Sequence, residues 1–110
     1  MINYKIALKK GKSTILVEQN EVIYIKADYG CCKVILQNGK YFETYNNLKE
    51  IEKLISSHLF CRIHNSFIVN INFIESIIDD LQPVVSLNNG EKIFISRRRK
   101  QELLQKFIHL

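Results

Sequence analysis

At 110 residues the chain has the length of one domain, spanning 1–110, and no room for two. Hydrophobic residues at 46%, charged residues at 25% and a single proline, Pro83, exclude a disordered chain. Sixteen Lys and Arg against 11 Asp and Glu leave a net charge of +5, a balance that favours polyanionic partners, nucleic acid or anionic membrane, over cationic ones.

Residues 3–9 and 13–18 are short runs around a Lys-Lys-Gly-Lys turn and read as a hairpin. Residues 21–28 place Val22, Tyr24 and Lys26 on one face and Ile23, Ile25 and Ala27 on the other, the period of a strand. A second β-rich run, Cys32 to Gln37, is reached through Tyr29-Gly30. Asn38-Gly39 is a strong hairpin signal, because both residues tolerate the positive φ of a two-residue turn, and it leads into a strand over 40–44.

The character then changes. Asn47 is placed to cap a helix and Glu50 to reach back as its capping-box partner, with Leu48, Ile51, Leu54 and Ile55 following at helical spacing. Residues 60–78 are apolar but carry Asn65, Asn70 and Asn72, which favour turns and caps. The expectation is a strand at 60–64, a tight turn or short helix at 66–70 and a strand at 73–78. Residues 83–87 and 91–96 flank Asn88-Asn89-Gly90 as another hairpin. Ser96 then caps a final helix with Leu103, Leu104, Phe107 and Ile108 as its apolar stripe. The fold class is mainly β: small antiparallel sheets in an elongated arrangement, one short central helix and one C-terminal helix.

Cys31, Cys32 and Cys61 are odd in number and two are adjacent, so they do not form a disulfide framework. No Cys or His spacing matches a zinc site, and no metal or cofactor is expected. The chain begins without an apolar export segment and has no apolar stretch of membrane-spanning length, which with free thiols points to the cytoplasm. Paired carboxylates and glycine-rich phosphate loops are lacking. His64, Asn65 and Ser66 cannot form a nucleophile with its base on an extended strand, where adjacent side chains point apart. The sequence is therefore not read as an enzyme.

Two polar segments stand out. Arg62, His64, Asn65 and Ser66 interrupt strongly apolar surroundings. They read either as a turn whose side chains satisfy local backbone groups or as donors to phosphates and base edges, with Asn suited to adenine. Ser96, Arg97, Arg98, Arg99 and Lys100 stand where a helix begins, and cations there oppose the helix dipole by a few tenths of a kcal/mol each. An anionic partner offsets that penalty better than a solvated face does, and the arginine fork matches guanine or phosphate.

The run Phe60-Cys-Arg-Ile-His-Asn-Ser-Phe-Ile-Val-Asn70, followed by Ile74-Glu-Ser-Ile77, resembles the signature of LytTR-type DNA-binding domains. Asn89-Gly90 and Ile95-Ser-Arg-Arg98 match its downstream part, Asn47–Glu50 its central helix and Glu21–Asp28 its opening strand, so the similarity covers roughly residues 5–107. The resemblance implies an elongated β fold whose loops enter two successive major grooves of double-stranded DNA, as the output domain of a response regulator. Carried over by position, the three reading loops fall at Tyr29–Lys33, Arg62–Ser66 and Ser96–Arg98. Asn65 and Arg98 then contact bases, and Arg62, Ser66, Ser96 and Arg97 contact phosphates. His64, Lys33, Cys31 and Lys100 complete the implied DNA-binding set.

The first loop departs from the family pattern, with Cys31 and Cys32 where relatives often carry His, Lys or Arg. Many members also have Arg at the position of Asn65, which implies a preference here shifted from guanine toward adenine. The usual N-terminal receiver domain has no room in 110 residues. The chain is thus either a piece of a longer regulator, with a receiver domain and sensor kinase as partners, or a stand-alone member. Specificity in a genome calls for repeated sites and a homodimer on DNA. Two other readings stay open from charge and aromatic content: a single-stranded nucleic-acid or RNA module, and a protein-interaction or membrane-surface module built on the basic terminal helix.

Overall fold

A computed structural model describes residues 5–110, so Asn3 and Tyr4 of the first expected run lie outside the described residues. In chain order the strands are β1 (Ile6–Lys10), β2 (Ser13–Val17), β3 (Val22–Asp28), β4 (Cys31–Leu36) and β5 (Tyr41–Thr44). Helix α1 (Leu48–Leu54) follows, then β6 (Phe60–His64), β7 (Phe67–Asn70), β8 (Ile74–Ile78), β9 (Val84–Leu87), β10 (Lys92–Phe94) and helix α2 (Arg97–Leu104). Short 3-10 turns at Gln19–Glu21 and Ile71–Phe73 lead into β3 and β8.

The strands form three antiparallel sheets: a β1-β2 ribbon, a five-stranded sheet in the order β5-β4-β3-β7-β6, and a three-stranded sheet in the order β10-β9-β8. The fold is mainly β and modestly elongated, as expected. Its radius of gyration of 13.9 Å and extents of 46 × 35 × 25 Å exceed the roughly 13 Å of a compact chain of this size.

The five-stranded sheet is covered on both faces. On one, Leu8 and Val17 of the ribbon and Leu48 and Ile51 of α1 pack on Val22, Ile25, Val34 and Ile68. On the other, Val85, Leu87, Ile93, Ile95 and Leu103 pack on Ile23, Tyr24, Ile63 and Val69. Double coverage explains why Val22 to Ile25 are all buried, as strands covered on both faces read as continuous apolar runs. It also corrects the strict alternation expected over 21–28. A bulge between Val22 and Tyr24 sends Val22 and Ile25 to one cluster and Ile23 and Tyr24 to the other.

The capping box of α1 forms as expected. The Asn47 side chain accepts from the Glu50 N–H at 2.8 Å, and the Asn47 N–H donates to the Glu50 carboxylate at 3.3 Å. The helix runs only seven residues, so its stripe is shorter than the sequence pattern: Leu54 is 79% exposed. Likewise α2 stops at Leu104, leaving Ile108 exposed, and Leu103 is its buried anchor.

The largest correction concerns residues 66–70, expected as a turn or short helix. Phe67–Asn70 is strand β7, paired with both β3 and β6. Asn70 fits there because its buried side chain is satisfied twice, donating to the Val22 carbonyl at 3.0 Å and accepting from the Asn72 N–H at 2.9 Å. The side chain thereby caps the following 3-10 turn. The two Asn-Gly hairpins also differ from the two-residue form. In each, only the glycine has positive φ, Gly39 at 86° and Gly90 at 92°. The preceding asparagine accepts from the N–H after the glycine, Asn38 from Lys40 and Asn89 from Glu91, both at 2.9 Å. These are longer loops closed by a left-handed glycine, the next most common hairpin solution.

A candidate nucleic-acid interface at one end of the sheet

Hairpin connectivity brings all three candidate loops to the same end of the five-stranded sheet. The β3-β4 turn and the β6-β7 turn lie side by side because β3 pairs with β7, and the Ala27 N–H donates to the Ser66 carbonyl at 2.9 Å. The start of α2 is tied to the far side of β6, with the Ser96 N–H donating to the Ile63 carbonyl at 3.3 Å. The loops therefore stand in the order first, second, third across the sheet end.

In the second loop, His64 pairs directly with Phe67, leaving Asn65-Ser66 as a two-residue turn. Neither residue has positive φ, so the turn is not one of the primed types that match strand twist. A bulge between Arg62 and His64 accommodates the mismatch. Arg62 closes the turn from inside: Nε donates to the His64 carbonyl at 3.1 Å and Nη2 to the Asn65 carbonyl at 2.8 Å. Its Nη1 meets Glu52 of α1 at 3.1 Å. His64 Nδ1 accepts from the Ser66 N–H at 3.1 Å, and its ring tilts against Phe67 with centroids 5.8 Å apart. Arg62 and His64 are thus engaged in shaping the turn, Ser66 is half-buried, and Asn65 is exposed at the tip.

In the third loop the Ser96 hydroxyl accepts from the Arg99 N–H at 3.3 Å, the cap expected of it. Helical period then sorts the basic run. Arg99 and Lys100 share the face of Leu103 and turn inward. Arg99 Nη1 donates to the Arg62 carbonyl at 3.4 Å, and Lys100 Nζ meets Asp79 at 2.8 Å. A hydrogen bond from Lys100, reinforced by its charge, holds the Asp79 carboxyl below the usual carboxylate range. Arg97 and Arg98 face outward. Arg97 Nη2 donates to the Leu81 carbonyl at 2.7 Å, and Arg98 pairs loosely with Glu102 at 3.3 Å. Such an exposed pair contributes under about 1 kcal/mol and yields readily to a phosphate or base.

The first loop projects less of its expected set. Cys32 is buried, and burial pushes its thiol up. The Cys31 thiol donates to the Asp28 carbonyl at 3.0 Å. Lys33 meets Asp28 at 3.4 Å, stands 5.1 Å over the Tyr41 ring, and has its pKa raised by the Asp28 hydrogen bond and charge. All three cysteines are free. The side chain at the tip is Tyr29, fully exposed and at a positive φ of 39°.

Sequence reasoning placed Tyr29 in the first loop and Arg99 in the basic run without giving either a role of its own, and it did not single out Glu52. The i to i+4 relation of Arg99 to Leu103 marked Arg99 as inward-facing, and Tyr29-Gly30 sits where a hairpin needs two left-handed residues. Nothing local marked Glu52, whose partner is ten residues away.

Three adjacent turns on a doubly covered β scaffold thus carry an exposed amide and outward guanidinium groups, donors of the kind that can meet a polyanion. A profile of the LytTr DNA-binding domain matches residues 12–108, and the chain belongs to that family of DNA-binding domains. Accessory gene regulator protein A of Staphylococcus epidermidis is 32% identical over 99 residues, which cover 89% of this chain and 40% of that protein. The protein of the same name from Staphylococcus aureus strain N315 is 31% identical with the same coverage. The chain thus spans about two fifths of the length of these relatives. A solved LytTr DNA-binding domain from Bacillus cereus superposes with a TM-score of 0.81 at 28% identity, over 94% of this chain and 95% of that one. Among the described residues, no helix is long and apolar enough to cross a membrane.

Proposed function

We propose that this chain recognises specific double-stranded DNA sequences by setting its three loops into successive major grooves, and so acts in transcriptional regulation. Asn65 and Arg98 read base edges, since an amide and a guanidinium each match a two-point pattern in the wide groove. Arg97, Ser66 and Ser96, together with the unpaired N–H groups at the start of α2, hold phosphates. Arg62, His64, Lys33, Cys31 and Lys100 act behind this surface, fixing the shape of the loops. The observation that carries the reading is the alignment of the three turns through the Ala27–Ser66 and Ser96–Ile63 backbone bonds.

Single-strand or RNA recognition by stacking on a sheet needs an open face, and both faces of the five-stranded sheet are covered. Regulation through a receiver domain and sensor kinase follows if the chain works within a longer regulator, as its relatives' greater length supports. Repeated sites bound by two copies fit the short element that one module of this size can contact.

In vitro selection from a random duplex pool, followed by competition among the selected duplex, its single strands and anionic vesicles, tests the proposal. The expected result is duplex preference with a log–log salt slope on the order of −5, from about five to seven phosphate contacts. Equal affinity for single strands or vesicles in moderate salt overturns it.

A further inference from the structure

Asp28 and Cys31 are directly paired at the ends of β3 and β4, so Tyr29-Gly30 is a two-residue hairpin turn. Both residues are left-handed, at φ of 39° and 81°. Such a turn is best made by Asn-Gly or Asp-Gly, and a bulky aromatic at its first position is sterically disfavoured. Burial of the ring does not offset that strain, because Tyr29 is fully exposed at 104% of its reference surface.

The turn is held in shape by its neighbours. The Cys31 thiol bonds the Asp28 carbonyl, Lys33 bridges to the Asp28 carboxylate, and Ala27 is tied to Ser66 of the second loop. Strained residues fixed by their surroundings cluster at binding sites. This one stands at the tip of the first loop, next to a shallow cleft that reaches Ser66. The other side chains of the loop are buried or internally bonded, which leaves Tyr29 as its projecting group.

We propose that Tyr29 is the DNA contact of the first loop. It presents a flat apolar ring with one hydroxyl to the groove wall of the duplex, alongside the amide of Asn65. An aromatic group with a polar tip suits a surface of sugar, thymine methyl and phosphate. The assignment rests on the duplex-binding reading above and adds to it a residue retained at the expense of turn stability.

The test is Tyr29→Asn, which fits the left-handed turn and removes the ring, with Tyr29→Gly as a second turn-compatible variant. Thermal unfolding and titration of the in vitro selected duplex are measured on each. The expected result is opposite signs: a thermal midpoint raised by a few degrees and duplex affinity weakened about five- to twenty-fold. Variants that bind the selected duplex as tightly as the unsubstituted chain overturn the role of Tyr29 alone. An unsubstituted chain without duplex preference overturns both this inference and the reading beneath it.

Discussion

Arg62 Nη2 donates to the Asn65 carbonyl at 2.8 Å, so the backbone of the most exposed amide in the second loop is held by a side chain three residues earlier. The same guanidinium reaches Glu52 on α1 and the His64 carbonyl, and the Arg62 carbonyl receives Arg99 from α2. One residue, by its side chain toward α1 and its backbone carbonyl toward α2, thereby joins both helices to the turn that presents Asn65. An arginine with its fork engaged in this way sets geometry.

Arg62→Gln is accordingly expected to blur base preference at the position read by Asn65 while leaving the salt slope nearly unchanged. Glu52→Gln, at a residue behind the proposed interface, should reproduce part of the effect. Salt titrations on the selected duplex and its single-base variants check both. A slope flattened by about one, with base preference intact, would return Arg62 to the phosphate contacts.

Outward-facing arginines should divide their roles. Arg98→Ala is expected to cost about 1–3 kcal/mol and relax discrimination at one base pair, whereas Arg97→Ala should weaken all duplexes alike and flatten the salt slope by about one. Asn65→Ala should lose preference chiefly where the selected site carries adenine. Binding to a panel of single-base variants separates these outcomes, and identical behaviour of the two arginine variants is the result that contradicts the division.

Asn70 is the test of the corrected strand. Replacing it with Ala leaves the Val22 carbonyl and the Asn72 N–H, both bonded to its amide, without partners beside the core. The expected loss of stability is about 2–3 kcal/mol, measured by urea unfolding. A turn or short helix at 66–70 would expose that side chain and make the substitution nearly neutral.

Two groups give the stability a pH signature. The Asp79 carboxyl is held below its ordinary value by Lys100, so its contribution is present above the usual carboxylate range and is lost as pH falls through its depressed folded value. Asp79→Asn should flatten that acid limb. At the other end, Tyr24 is buried, and its hydroxyl donates to Glu91 at 2.7 Å. Burial first, then that hydrogen bond and the Glu91 charge, push the phenol up. Its neutral form is the native one, so stability should decline as pH rises past about 10, where the unfolded phenol ionises. A spectrophotometric titration should find one of the five tyrosines ionising late, and Glu91→Gln should bring its midpoint down.

Most element positions were legible because they rest on local signals: the capping box at Asn47 and Glu50, the glycines at 39 and 90 with the β-rich runs beside them, and the serine cap at Ser96. The signals failed where a distant partner decided the outcome. Asn70 looked like a turn residue until β3 supplied the Val22 carbonyl, and the alternation of β3 broke because cores press on it from both sides. The apolar stripes ran past what the helices bury: Leu54, the last residue of α1, is exposed, and Phe107 and Ile108 lie beyond the end of α2.

The site divides along the same line. The sequence by itself determined the family and which residue types stand in the candidate loops, an amide at 65 and guanidinium groups at 97 and 98, since motif and charge are written in chain order. Only the tertiary structure decided which polar groups of the loops are engaged internally, Arg62, Lys33 and Lys100 among them, and which face outward, and it showed Tyr29 strained and fully exposed at the tip of the first loop. Orientation depends on partners far away in sequence, Glu52 for Arg62, Asp79 for Lys100 and Ser66 beside the Tyr29 turn, and those partners meet only when strands distant in the chain pair.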